Sequence, residues 1–62
     1  MPIKEKIVHA RVILNLSQQA LAQRLGVSFA TVNRWEKGHY EPTIKAKRKL
    51  IELCRENGIE VD

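Results

Sequence analysis

Residues 18–37 read QQALAQRLGVSFATVNRWEK. Ser17 stands just before this stretch and Ser28 inside it, each ahead of a helical pattern. Serine is a good N-cap, because its hydroxyl accepts a hydrogen bond from an otherwise unpaired N–H of the first turn. Gly26 falls between the two patterns and supplies a left-handed turn at no steric cost. The stretch therefore predicts two short helices, Gln18–Leu25 and Phe29 to Glu36 or Lys37. Helices joined this tightly cross at about 90–120°. The crossing needs apolar side chains in the angle, and Leu21, Leu25, Val27, Val32 and Trp35 provide them. It needs a small residue where the second helix passes close over the first, and Ala22 is there.

These seven positions are each common and jointly specific: they spell a helix-turn-helix. Working outward, Ile3, Ile7, Ala10 and Leu14 repeat with the rhythm of one buried helical face, giving a helix from Ile3 to Leu14. Asn15, which tolerates positive φ, is its expected stop. Gly38 ends the helix that carries Trp35, and His39-Tyr40-Glu41-Pro42 reads as a loop. Thr43 caps a last helix running to Glu56, with the stripe Ala46, Leu50, Leu53 and Cys54 turned inward and Asn57-Gly58 as its stop. The tail 58–62 is expected to fray unless Ile59 and Val61 find a surface. The expected fold is all-α and compact, with four helices and a fifth allowed, in one domain over 1–62 with its core in 3–57.

The chain has 62 residues, 44% of them apolar. A chain of this size buries only about 60% of the surface it exposes when unfolded, so a deep enzyme cleft is not expected. The single cysteine rules out an internal disulfide framework. One Cys and two His cannot supply four zinc ligands, so no metal is expected. No apolar run is long enough for a transmembrane helix, and the N-terminus lacks the apolar core of a signal peptide. The expectation is a cytoplasmic protein. The net charge is +4. Residues 1–31 hold four basic against one acidic residue, and 32–62 seven against six. This mild basic balance suits a polyanion.

The chain resembles the Cro and phage-repressor type of helix-turn-helix domain, the XRE family. The resemblance covers residues 4–56. It is carried by Leu16-Ser17-Gln18, by Leu21-Ala22-Gln23-Arg24-Leu25-Gly26-Val27-Ser28, and by Thr31-Val32-Asn33-Arg34-Trp35-Glu36-Lys37-Gly38 followed by Pro42. It implies a lambda-repressor-like fold, binding to double-stranded DNA as a homodimer on inverted repeats, and regulation of transcription. Relatives contact bases at the positions of residues 29, 30 and 34, often with polar residues at the first two; Phe29 and Ala30 depart from that. Gln18 matches the family's phosphate-contacting glutamine. Arg11 and Glu36 stand where relatives form a partly buried ion pair.

The residues have their own reading. A helix that buries Val32 and Trp35 presents Phe29, Ala30, Asn33 and Arg34 on its other side, with Lys37 a turn on. A recognition helix lays such residues against base edges in the major groove. Arg34 can donate twice to guanine, Asn33 can pair adenine or reach a phosphate, and Phe29 and Ala30 suit a thymine methyl. Phe29 has a second place open to it, tucked beneath the preceding helix as core. Phosphate contacts are expected from Gln18, at the positive end of its helix, and from Ser28, Thr31, Lys37, His39 and Tyr40.

The remaining candidates read as structure. His9 and His39 are expected on the surface and Cys54 in the core. The run Lys45-Ala46-Lys47-Arg48-Lys49 is expected to be a solvated helix face, from which a lysine can still reach a flanking phosphate. Val8, Val12, Ile13, Ile44 and Ile51 exceed what one core face needs; either the tail covers them or they meet a second copy or another protein. No catalytic constellation, cofactor motif or small-molecule site is present, so the chain reads as a non-enzyme. Three functions compete. The first is a sequence-specific regulator. The second is an antitoxin or adaptor on the same fold, able to repress its own operon and betrayed by a co-purifying partner. The third is a non-specific nucleic-acid binder with equal affinity for every duplex.

Overall fold

A computed structural model describes residues 3–59. Its four helices are α1 (Ile3–Ile13), α2 (Gln18–Leu25), α3 (Phe29–Lys37) and α4 (Ile44–Glu56). They make up the all-α fold, and no strand occurs among the described residues. None of the helices is long and apolar enough to cross a membrane.

The starts of α2, α3 and α4 are set by hydroxyls. Ser17, Ser28 and Thr43 accept from the N–H groups of Ala20, Thr31 and Ala46 at 3.0, 3.1 and 3.2 Å. The ends share one device. After α2 the N–H of Gly26 donates to Gln23 O and that of Val27 to Ala22 O. After α3 Gly38 donates to Trp35 O and His39 to Arg34 O. Such paired bonds need a left-handed residue at the first position past the helix, and Gly26 and Gly38 take it at φ 72° and 78°. The same bond pair follows α1, with Asn15 at φ 56°, and α4. Because Asn15 has already turned, α1 stops at Ile13 and Leu14 lies in the closing turn, one residue short of the sequence expectation.

The core takes Ile7 and Ala10 from α1, Leu21, Ala22 and Leu25 from α2, Val32 and Trp35 from α3, and Ala46, Leu50, Leu53 and Cys54 from α4. Ile3, Leu14, Leu16, Val27 and Ile59 pack against its edge. Among the described residues no polar or charged side chain is buried. Burial pushes the Cys54 thiol up from its ordinary range, which keeps it protonated and a poor nucleophile. Ile59 does find a surface, packing against the core edge with its N–H bonded to Cys54 O at 2.8 Å. Val61 lies outside the described residues. Val12, Ile13 and Ile44 stay exposed.

Candidate nucleic-acid interface

The two short helices put one side of α3 in the core and leave the other to solvent. Val32 is fully buried and Trp35 is 5% exposed, while Ala30, Arg34 and Lys37 are exposed. Phe29 is 53% exposed. The core alternative is therefore not taken: at 100° per residue Phe29 sits about a quarter turn from the middle of the Val32–Trp35 face.

Arg34 lies over the ring of Tyr40, its guanidinium carbon 5.9 Å from the ring centre. That is within range of a cation–π contact. The loop after Gly38 thus returns beneath the exposed face of α3. His39 is exposed beside Tyr40, and His9 is exposed on α1. Ser28 and Thr31 are bound to each other through their hydroxyls at 2.8 Å, on top of the cap bond.

Arg11, Gln18, Asn33 and Glu36 converge from three helices. Arg11 donates from Nε to Glu36 Oε2 at 2.8 Å and from Nη2 to Oε1 at 3.0 Å. Its Nη1 donates to the carbonyl of Leu16 at 3.3 Å. Gln18 donates from Nε2 to Glu36 Oε1 at 3.0 Å, and Asn33 donates from Nδ2 to Gln18 Oε1 at 3.2 Å. The Glu36 side chain keeps only 8% of its surface and that of Arg11 22%. The network ties α1 to the first residue of α2 and to the C-terminal half of α3.

Sequence spacing did not show that Gln18 and Asn33 touch, since they are 15 residues apart on different helices. Nor did it show what two lysines do. A Cβ placed on Gly38 would stand 3.1 Å from Lys4 Cδ, and one on Gly26 3.4 Å from Lys49 Nζ. Lys4 and Lys49 therefore lie across the C-terminal ends of α3 and α2, where the helix dipole favours a cation. In the basic run of α4, Lys47 Nζ also stands 3.7 Å from Glu41, and Lys45 and Arg48 are exposed.

Four helices among the described residues, with α2 and α3 joined over a capped glycine turn, make a helix-turn-helix domain. The family model described as helix-turn-helix matches residues 8–60. Over 51 residues, 82% of this chain and 77% of the relative, it is 42% identical to an uncharacterised HTH-type transcriptional regulator of Methanocaldococcus jannaschii. No solved structure matches it. The chain belongs to the helix-turn-helix family of the Cro and phage-repressor type.

Proposed function

We propose that the chain is a DNA-binding transcriptional regulator whose α3 reads the major groove. The observation that carries this is the two-sided α3. One side is locked by Val32 and Trp35, and the other carries the exposed Phe29, Ala30 and Arg34 with the half-buried Asn33 among them. The name of the similar regulator supports the same reading. Arg34 supplies a planar fork of donors, which suits guanine O6 and N7. The Tyr40 ring lies 5.9 Å from that fork. Phe29 and Ala30 offer apolar contact to thymine methyls. Gln18, Ser28, Thr31, Lys37, His39 and Tyr40 surround these side chains and contact the sugar-phosphate backbone, which fixes register without carrying sequence. The protein acts as a homodimer on inverted repeats, each copy placing one α3 in one half-site.

Arg34→Ala tests the assignment. The variant is expected to lose its preference at one guanine, at a cost of about 1–3 kcal/mol against the matched site. Lys37→Ala should instead weaken every duplex alike and lower the salt slope by about one. Competition binding at fixed salt against single-base variants of the site separates the two. An Arg34→Ala protein with unchanged base preference would remove Arg34 from the bases it is assigned to read.

A protein partner is the second reading, and the observation behind it lies on α1. Val12 is 64% and Ile13 53% exposed. Val8, His9 and Val12, with Lys4, Glu5 and Glu36, line an open groove of about 470 Å³. A toxin or adaptor seated there would leave α3 free, so both roles are compatible.

A further inference from the structure

We infer that Gln18 and Glu36 are positioning residues for base readout: through them the charge of Glu36 decides which end of the Asn33 amide faces the DNA. This rests on the reading of α3 as the groove helix and of Asn33 as one of its base contacts. The argument is one of donors and acceptors. A side-chain amide has two ends of nearly equal size, one a donor and one an acceptor, and in isolation it can turn either way. A carboxylate can only accept. Glu36 accepts two hydrogen bonds from Arg11, one on each carboxylate oxygen, and these hold it in place. The amide end of Gln18 facing Glu36 Oε1 must therefore be the NH2, as the 3.0 Å contact has it. That turns Gln18 Oε1 toward α3. The end of Asn33 that meets it, at 3.2 Å, must then also be the NH2. Each step fixes the next, so the polarity set by one partly buried carboxylate is carried across two amides to the solvent side of α3.

The consequence is a defined hydrogen-bonding face. Asn33 has Oδ1 and one Nδ2 hydrogen left over. An acceptor beside a donor matches the N6 amino group and N7 of adenine in the major groove. With the amide reversed, Nδ2 would take the place of Oδ1 and the match would be lost. A guanine offers two acceptors there and cannot replace adenine. Gln18 thus contributes to the choice of base while lying on α2, away from the reading helix, and its second Nε2 hydrogen stays available for a phosphate.

The experiment uses the full chain and its selected duplex, with all single-base variants of that duplex. Asn33→Ala should flatten a preference for adenine at one base pair, worth about five- to a hundredfold for a bidentate contact. Gln18→Met has the same reach but no amide, and should reduce the preference at that same base pair by about three- to tenfold, the worth of one net hydrogen bond. The double variant should be no less selective there than Asn33→Ala alone. Gln18→Ala serves as the second variant if Gln18→Met folds poorly by circular dichroism. A Gln18 variant that weakens every duplex equally and keeps the adenine preference would overturn the positioning role. If Asn33→Ala leaves base preference untouched while Arg34→Ala changes it, Asn33 is not a reader and the inference falls, with the groove assignment intact. If neither variant changes base preference, the groove assignment itself falls.

Discussion

Trp35→Ala is expected to leave much of the chain unfolded at room temperature. Trp35 is 5% exposed and lies in the core that all four helices share. Truncating a buried Trp costs about 3–5 kcal/mol, part lost transfer energy and part cavity. A domain of this length has a total stability of about 3–9 kcal/mol, at 0.05–0.15 kcal/mol per residue. The loss is thus comparable with the whole margin. Thermal melting followed by circular dichroism should show a midpoint lowered by more than about 12 °C, or no cooperative transition. Trp35→Phe, which keeps a ring in the site, should retain a sharp transition. A Trp35→Ala melt within a few degrees of wild type would mean that Trp35 is not the anchor of α3. The consequence for function is direct, because a loosened α3 cannot hold its exposed side in register with base edges.

Arg11→Ala is the second large effect, and its cause is charge rather than packing. The substitution removes both donors that Arg11 gives to Glu36, whose side chain retains 8% of its surface. A carboxylate stranded this deeply costs about 2–4 kcal/mol, somewhat less than in a pair cut off from water altogether. Urea titration should show the lowered midpoint. The double variant Arg11→Met with Glu36→Leu should recover most of the lost stability, because it removes the stranded charge and refills the space with apolar atoms. Equal instability of the single and double variants would mean that the damage comes from lost packing around α1. The recovered double variant would still lack the carboxylate that orients Gln18, so its stability and its base selectivity should part company.

Much of the fold could be read from local chemistry. Ser17, Ser28 and Thr43 cap helices where their hydroxyls can only be useful at a helix start. Gly26, Gly38 and Asn15 end helices because few other residues adopt positive φ cheaply. The buried stripe of α4 followed from its 3.6-residue period. These signals act within a turn or two, so neighbouring residues carry them. The contacts that escaped are those between helices that meet only after folding. Nothing near Gln18 announces Asn33, and nothing near Gly38 announces Lys4. Phe29 lay at the boundary of the α3 core face, where periodicity does not decide between buried and exposed. Tyr40 lay in a loop with no period at all, and its place beneath Arg34 depends on the turn that Gly38 makes.

The central claim is that α3 reads sequence in the major groove, and selection from a randomised duplex library at near-physiological salt tests it most directly. The account predicts an enriched inverted repeat whose half-sites lie one helical turn apart, about 10–10.5 base pairs centre to centre. Each half-site should hold a guanine that Arg34→Ala ceases to prefer. A pool that stays random, bound with equal affinity throughout, would contradict the claim. The exposed Val12 and Ile13 of α1 would then become the place to look for what this protein binds.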